Sequence, residues 1–379
     1  MSHLLNAALQ YAPPGRVVEI REYGRGNVND TYLVTMASPH PEFPPTGVRE
    51  SHFILQRLNP KVFRRPDLVM GNLRLLSEHV ARRLEHAAGS ARRRFELPRA
   101  LPARDGGDYW LAPDGSCWRA LSFIEGTRSF DTIQDLNHAR EVGRALGSFH
   151  HLVSDLPPEK LADTLEGFHI TPGYLRHYDE VLAARRAETS PEVAYALRFV
   201  EARRAWAGVL EEARDRGELR QRVIHGDPKV NNVMLDAATA QAVALVDLDT
   251  VKPGLAHYDL GDCLRSGCNP LGEEPGRWEQ VNFDLDICRA IVAGYLSMAR
   301  NFLTANDYVY LYDAVRLIAF ELGLRFFTDY LEGNVYFKVR RREQNLARAL
   351  VQFRLTESIE SQEKAIRTII REGAARPQG

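Results

Sequence analysis

The sequence predicts an α+β protein with two lobes, a small β-rich N-lobe and a large, mostly helical C-lobe. Short β-branched and aromatic runs dominate the first third of the 379 residues. Apolar residues then recur at helical spacing from Leu136 onward, and again over residues 283–372. Between these two helical regions, residues 222–246 contain three short apolar runs separated by polar turns. Strand-rich and helix-rich segments therefore follow one another along the chain, as expected for an α+β fold.

Residues 1–121 form the predicted N-lobe, an antiparallel sheet with one helix that covers a nucleotide. The Pro-rich residues 38–45 are predicted to be an exposed loop, because proline is excluded from the interior of a sheet. Residues 66–86 carry apolar side chains at helical spacing and predict the helix. The predicted strands lie at residues 17–20, 31–34, 52–55, 108–111 and 117–121.

Residues 122–126 are the predicted hinge, and residues 127–379 the predicted C-lobe, which carries the catalytic loop and the acceptor pocket. A helix is predicted from Leu136, because Val142, Leu146 and Phe149 mark one apolar face with it. In the last part of the chain, the pattern Thr304-x-x-Asp307 resembles a capping box and predicts the start of a helix there.

The segment His-Gly-Asp-Pro-Lys-Val-Asn-Asn at residues 225–232, followed by Asp247, has the spacing of a phosphoryl-transfer loop, H-x-D-x-x-x-x-N plus a metal-holding Asp. Asp227 is predicted to orient the attacking hydroxyl and to take its proton. Asn232 and Asp247 are predicted to hold Mg²⁺. The alternative is a plain β-hairpin with a polar turn. The joint occurrence of these residues in this order favours the catalytic interpretation.

Two further groups extend the predicted site. Lys229 has the reach to neutralise charge on the transferred phosphoryl group, and a solvated turn lysine is the alternative. Asp249 competes with Asp247 for the metal, because two residues apart on a strand lie on the same face. Asp259 and Asp262 resemble the aspartate that follows the metal ligand in proteins with this loop, and that resemblance implies that they hold the loop by hydrogen bonds.

Candidate nucleotide-binding residues lie in the N-lobe. Gly24, Gly26 and Asn27 belong to a Gly-x-Gly loop whose backbone N–H groups suit a phosphate, although an ordinary hairpin has the same composition. A kinase places a lysine on the third strand, where this sequence has Gln56 followed by Arg57. Strand alternation sends these two side chains to opposite faces, so only one of them replaces the lysine.

Charge and cysteine content exclude several classes of protein. Lys plus Arg total 49 and Asp plus Glu total 50, so there is no basic field for nucleic acid. The basic run at residues 338–342 is interpreted as a solvated helix start. Four cysteines without metal spacing indicate reduced thiols, and no apolar run reaches the length of a membrane span. We therefore predict a cytoplasmic protein without membrane or nucleic-acid partners, either a monomer or a homodimer.

Position 226 carries Gly where protein kinases carry Arg, and in this respect the loop resembles the aminoglycoside phosphotransferase and choline-kinase-like superfamily of small-molecule kinases. Within that superfamily, several segments are similar to the N-acetylhexosamine 1-kinases, and the likeness runs from about residue 16 to residue 360. The segments that carry it are residues 53–63, 225–233, 246–254, 258–265, 321–331 and 336–338.

This resemblance implies a two-lobed, protein-kinase-like fold of the aminoglycoside phosphotransferase type, with ATP and Mg²⁺ as cofactors. It implies phosphorylation of the anomeric hydroxyl of N-acetylglucosamine or N-acetylgalactosamine, giving a hexosamine 1-phosphate. It also implies that Phe123 and Ile124 line the adenine site and that Asp247, in preference to Asp249, is the main metal ligand. The residues that would contact the sugar are Asp227, Arg325, His169 and Tyr174.

Alternatives remain at the level of residue and of function. Glu321 lies four residues before Arg325 and would pair with it inside one helix, which would leave the guanidinium no role in binding. The acceptor is alternatively another small alcohol, such as homoserine, choline or an aminoglycoside. The missing third-strand lysine also allows a catalytically silent, nucleotide-binding module.

Overall fold

The computed structural model describes residues 3–12, 16–24, 28–39, 48–86, 93–184 and 190–375. By its internal contacts the chain divides into two compact units. The first unit comprises Met1–Ala91, Glu96–Gly126 and Leu161–Leu165. The second unit comprises Arg92–Phe95, Thr127–Lys160 and Glu166–Gly379.

The first unit is built on one antiparallel sheet of six strands. Its strands are β1 (Arg16–Glu22), β2 (Asp30–Pro39), β3 (Val48–Arg57), β4 (Ala100–Leu101), β5 (Trp110–Leu111) and β6 (Cys117–Ser122). The order in the sheet is β1-β2-β3-β6-β4, and β5 pairs with β6. The predicted strands are all present. Strand β2 extends two residues into the predicted Pro-rich loop, and the remaining residues 40–45 of that loop lie outside the described residues.

Two helices belong to this unit. Helix α2 (Pro66–His86) has the bounds that its apolar periodicity predicts, and it buries Val69, Leu73 and Leu76. Helix α1 (His3–Tyr11) has no counterpart in the sequence-based expectation. A helix of nine residues is marginal by itself, and α1 is stabilised by packing on the sheet, where the Tyr11 hydroxyl donates to the carbonyl oxygen of Trp118 at 2.5 Å.

The second unit is mainly helical. Its longer helices are α3 (Leu136–Val153), α4 (Thr171–Ala184), α5 (Pro191–Glu201), α6 (Val209–Asp215), α7 (Ala256–Gly267), α8 (Leu285–Ala299), α9 (Ala305–Glu332), α10 (Gln344–Ser361) and α11 (Glu363–Ala375). The predicted helical C-terminal region and the capping box at Thr304 are both present, since the Thr304 side chain accepts from Asp307 N and the Asp307 carboxylate accepts from Thr304 N. The predicted α+β, two-lobed fold class is confirmed.

Two small antiparallel sheets carry the predicted catalytic segment. Strand β9 (Val233–Asp236) lies between β7 (Thr127–Arg128) and β10 (Ala242–Leu245). Strand β8 (Arg222–Ile224) pairs with β11 (Lys252–Gly254). The plain hairpin between the runs at 222–224 and 233–235 is therefore wrong, because β8 pairs with a strand that lies after the predicted metal ligand Asp247. The pairing of β8 with β11 brings the two ends of the segment 225–251 next to each other.

Candidate active site

The catalytic loop leaves β8 at Ile224 and is anchored by a single buried carboxylate on α7. Asp259 accepts hydrogen bonds from the backbone N–H groups of His225, at 2.6 Å, and Gly226, at 2.8 Å. His150 on α3 donates to the same carboxylate at 2.8 Å. Burial raises the pKa of Asp259, but the bonds from His150 and from the loop outweigh it and hold the pKa below its ordinary value. An ionised carboxylate thus fixes the start of the loop.

The loop passes close to the backbone that follows the predicted metal ligand Asp247. Gly226 has a φ of 87°, and a Cβ at this position would lie 2.7 Å from the carbonyl oxygen of Thr250. The Thr250 hydroxyl donates to the carbonyl oxygen of His225 at 2.7 Å, and the His225 ring bonds the carbonyl oxygen of Val246 at 3.0 Å. These contacts hold the segments before Asp227 and around Asp247 next to each other.

Asp227 has two partners inside its own loop. The Lys229 ammonium donates to its carboxylate at 2.7 Å, and the Asn232 amide donates to its backbone carbonyl oxygen at 2.7 Å. Burial lowers the pKa of Lys229, but the carboxylates of Asp227 and Asp247 raise it more, so the lysine stays charged. A fixed positive charge therefore lies between the predicted base and the predicted metal ligand.

Asn232 and Asp247 provide the oxygen ligands that Mg²⁺ prefers. Because the Asn232 NH₂ group faces a carbonyl acceptor, its side-chain oxygen points the other way and is available for a cation. Asp247 is exposed and takes the left-handed conformation, with φ 65° and ψ 57°, before the short 3₁₀ turn Leu248–Thr250. Its carboxylate and the Asn232 amide fit a cation that completes its shell with phosphate and water.

The same-face argument for Asp249 is wrong. Strand β10 ends at Leu245, so Asp247 and Asp249 lie in a turn where strand alternation does not apply. Asp249 is 4% exposed, whereas Asp247 is open to solvent. Within the described ranges, no group of three or more His, Cys, Asp or Glu side chains has the placement of a metal site. The candidate site has one carboxylate, Asp247, and one amide, Asn232. The nucleotide would supply further oxygen ligands.

Arg325 on α9 is surrounded by aromatic rings. Its guanidinium carbon lies 5.1 to 6.0 Å from the ring centroids of Phe168, Tyr174, Tyr336 and Phe337. No hydrogen bond or ion pair joins it to any residue in the part of the chain that the structure describes. Burial lowers the pKa of Arg325, but the Tyr174, Tyr336, Glu321 and Asp227 groups together raise it above its ordinary value. The cation is therefore held by ring faces and keeps its N–H donors free.

Glu321 does not form the intrahelical pair with Arg325 that was the alternative to a role of Arg325 in binding. One of its oxygens bonds the His169 ring at 2.9 Å, and the other accepts from the Thr171 hydroxyl at 2.8 Å. The second ring nitrogen of His169 bonds the carbonyl oxygen of Gly226 at 2.8 Å. His169 is thus engaged on both sides within the protein, and its predicted contact with the acceptor stays a prediction, as does that of Tyr174.

Among the predicted nucleotide-binding residues of the first unit, Gly24 has a φ of 76°, and no heavy atom of the described residues lies within 4 Å of a Cβ added there. Gly26 and Asn27 lie outside the described residues. Phe123 and Ile124 directly follow β6; Ile124 is buried, and the Phe123 ring packs against Tyr23 with centroids 5.9 Å apart. Their roles at an adenine and a phosphate stay predictions.

Gln56 and Arg57 point to opposite faces of β3, as strand alternation requires. Arg57 donates to Asp30 at 2.5 Å and is half exposed. Gln56 donates to Thr31 and accepts two bonds, at 3.0 and 2.6 Å, from the guanidinium of Arg119 on β6. The sequence reasoning missed Arg119, which is 1% exposed. The signal in the sequence was that the neighbours of Arg119 on β6 are apolar. A charged side chain among buried apolar residues requires a buried partner.

The fold and the loop geometry define a phosphotransferase with a kinase-like catalytic loop. Residues 19–289, well over half of the 379-residue chain, match the profile of the APH phosphotransferase enzyme family. The chain belongs to this family. The predicted enzyme class, a phosphotransferase that acts on an alcohol group, is confirmed.

The chain is similar to one curated kinase and to two solved kinase structures, among others. The chain is 29% identical over 239 residues to homoserine kinase of Rhizobium meliloti (strain 1021), a match that covers 62% of this chain and 63% of that kinase. The structure of a microcompartment-associated aminopropanol kinase is similar with a TM-score of 0.61, at 17% identity and 98% coverage of both chains. Choline kinase from Cryptosporidium parvum Iowa II gives a TM-score of 0.55, at 13% identity and with 93% and 91% coverage. At such identities the structural likeness shows the fold alone.

The part of the chain described here contains no helix that is long and apolar enough to cross a membrane. All four cysteines are free and buried.

Proposed function

We propose that this protein uses ATP and Mg²⁺ to phosphorylate the anomeric hydroxyl of an N-acetylhexosamine in the cytoplasm. The observation that carries the proposal is Arg325, whose guanidinium is framed by aromatic rings and has free N–H donors. Aromatic faces and a hydrogen-bond donor suit a neutral, polar ring with hydroxyl groups. The electrostatic influence of Asp227 on Arg325 supports an acceptor that reaches both residues.

In the proposed reaction, the Asp227 carboxylate accepts the hydrogen bond of the anomeric hydroxyl and takes its proton late in the transfer. The hydroxyl oxygen forms the new bond to the γ-phosphorus while the bond to the leaving ADP oxygen breaks. Lys229 contributes a fixed positive charge next to the transferred group. Asp259 keeps the loop in place through the N–H groups of His225 and Gly226.

Asn232 and Asp247 would hold Mg²⁺, which neutralises phosphate charge when it is bound. The nucleotide would contact Gly24, Gly26 and Asn27 through phosphates. Phe123 and Ile124 would lie at the adenine. Gln56 keeps its place on β3 through Arg119, and the buried guanidinium supplies a positive charge where kinases use a lysine.

Homoserine is the second candidate acceptor. The curated relative is a homoserine kinase, and a guanidinium with free donors binds a carboxylate in a bidentate manner. Choline and aminoglycosides are less suited, because a fixed positive charge at Arg325 repels a cationic acceptor. The charge of the acceptor therefore distinguishes the candidates.

The proposal is tested by ATP consumption with Mg²⁺ across N-acetylglucosamine, N-acetylgalactosamine, homoserine, choline and an aminoglycoside. We expect turnover of the N-acetylhexosamines and a phosphate on C1 of the product. Asp227→Asn should lower kcat by about 10²- to 10⁴-fold, while the exposed Asp215→Asn should not change it. Phosphate on C6, or turnover of homoserine alone, would discard the hexosamine 1-kinase assignment.

A further inference from the structure

His169 joins the helix of the candidate acceptor site to the catalytic loop. It lies before α4, is 4% exposed, and has a φ of 64°, which is unusual for a residue other than glycine. One ring nitrogen lies 2.8 Å from the carbonyl oxygen of Gly226, the residue before Asp227. The other lies 2.9 Å from a carboxylate oxygen of Glu321, one helical turn before Arg325.

The two partners determine the protonation of this ring. A carbonyl oxygen only accepts hydrogen bonds, and so does an ionised carboxylate. Burial raises the pKa of Glu321, but the His169 ring outweighs it and holds that pKa below its ordinary value. With Glu321 ionised, each ring nitrogen of His169 faces an acceptor, and this arrangement suits an imidazolium paired with Glu321.

We propose that His169, kept as an imidazolium by Glu321, is a positioning residue that fixes the Gly226 carbonyl and thereby the direction of the Asp227 side chain. The inference rests on the proposed function in so far as it concerns turnover. Gly226 is held at both of its peptide groups, since its N–H donates to Asp259 and its carbonyl oxygen, in the peptide that leads to Asp227, bonds His169. Misplacing a catalytic group by about 1 Å costs about 10²-fold in rate.

The groups around the ring explain why the charge persists. From α9, Glu321 faces His169 directly, and Arg325 lies one turn beyond it. From α7, Asp262 acts on it electrostatically, and the Tyr258 ring stacks on it with centroids 5.4 Å apart. Burial lowers the pKa of His169, but Glu321 and the Gly226 carbonyl raise it more, so the net shift is upward. Because the active form is protonated, kcat is expected to fall as pH rises through this raised pKa.

Replacing His169 by Gln or by Asn distinguishes its bond to Gly226 from its bond to Glu321. The side-chain nitrogen of Gln can take the place of the ring Nε2, whereas that of Asn can take only the place of Nδ1. His169→Gln should keep the bond to Gly226 and retain kcat within about tenfold, with a flatter alkaline limb. His169→Asn should keep only the bond to Glu321 and lose about 10²-fold in kcat, with KM little changed. Glu321→Gln should move the alkaline limb to lower pH.

The matched control is His257→Asn on α7. His257 is 2% exposed and also bonds a backbone carbonyl oxygen, that of Asp307, through Nε2 at 2.9 Å. Because Asn cannot take the place of Nε2, this variant should lower the thermal midpoint, and it should leave kcat unchanged. An equal kcat for His169→Asn and His257→Asn would overturn the proposal. All kcat values are measured with the acceptor that the panel identifies, between about pH 5.5 and 9.

The charge of His169 is measured without turnover, by proton–carbon NMR of the imidazole signals in the full-length protein, assigned through His169→Gln. We expect the His169 ring to be protonated at neutral pH in the wild type and to lose its proton at a lower pH in Glu321→Gln. A ring that is neutral at pH 7 would overturn the inference even if the protein phosphorylates hexosamines. If no acceptor is turned over, the proposed function fails, and the NMR titration alone decides the inference.

Discussion

Gly226 lies one residue before Asp227, in a backbone conformation that L-amino acids rarely adopt. Its φ of 87° is accompanied by an approach of Thr250 that leaves no room for a side chain, since an added Cβ would lie 2.7 Å from the Thr250 carbonyl oxygen. The carbonyl oxygen and N–H group of this residue are also both used, by His169 and Asp259. The glycine therefore allows three segments of the second unit to meet at one residue.

We expect Gly226→Ala to destabilise the protein by about 1–3 kcal/mol from backbone strain alone, and to lower kcat because Thr250 is displaced. Urea denaturation and steady-state kinetics measure the two effects. Gly276→Ala is the matched control, because no heavy atom lies within 4 Å of an added Cβ there, and it should change the free energy of unfolding by about 0.5 kcal/mol or less. Equal effects of the two substitutions would contradict the packing argument.

At the scale of single residues, the sequence was sufficient where chemistry follows from spacing along the chain. Asp227, Lys229 and Asn232 lie within six positions of one another, so their proximity could be predicted from the spacing alone. Arg119 could not be predicted, because its partner Gln56 lies 63 residues away and is reached only through strand pairing. The partner of Glu321 was missed for the same reason. Arg325 lies four residues away in the same helix, whereas the actual partner, His169, is distant in sequence.

Among the elements, helix α9 contributes two charged residues to the candidate site. This helix runs for 28 residues and carries both Glu321 and Arg325 on its second half. Its first turn is fixed by the capping box between Thr304 and Asp307, and the Asp307 carboxylate also accepts from Arg222 on β8 at 2.9 Å. The start of α9 is thus tied to the strand that leads into the catalytic loop.

Thr304→Ala should lower the free energy of unfolding by about 1 kcal/mol, because the Asp307 N–H loses its acceptor and the Asp307 carboxylate loses a donor. Chemical denaturation measures this loss. Thr368→Ala is the control, since its hydroxyl bonds a carbonyl within α11 at an exposed position, and it should be nearly neutral. A neutral Thr304→Ala would show that packing, and not the cap, fixes the start of α9.

Elements were predictable in proportion to their length and periodicity. Helix α2, with five apolar positions on one face, was predicted with its observed bounds. Strand β11 and helix α1 were missed, because three or nine residues carry too weak a pattern and depend on tertiary partners. The hairpin of β8 with β9 was wrong for a related reason: adjacent strands in sequence usually pair, but here the catalytic segment lies between the true partners.

On the scale of the whole molecule, the predicted functions are divided between the two units. Gly24, Gln56 and Ile124 belong to the first unit, and the catalytic loop with α7 and α9 belongs to the second. Each unit carries its own buried core, so a substitution in one core is not expected to alter the geometry of the other site. Binding of a nucleotide to the folded chain is therefore the most direct test of both units together.

We expect ATP with Mg²⁺ to raise the thermal midpoint, because a ligand at about one hundred times its Kd stabilises the folded state by about 2.7 kcal/mol. Replacing Mg²⁺ by a chelator should reduce the shift. That metal-dependent increment should vanish in Asp247→Asn and persist in Asp249→Asn, each compared with its own nucleotide-free midpoint. The reverse result would make Asp249 the ligand. A shift of equal size with and without Mg²⁺ in the wild type would favour a silent nucleotide-binding module, and the same series with GTP would establish which nucleotide is preferred.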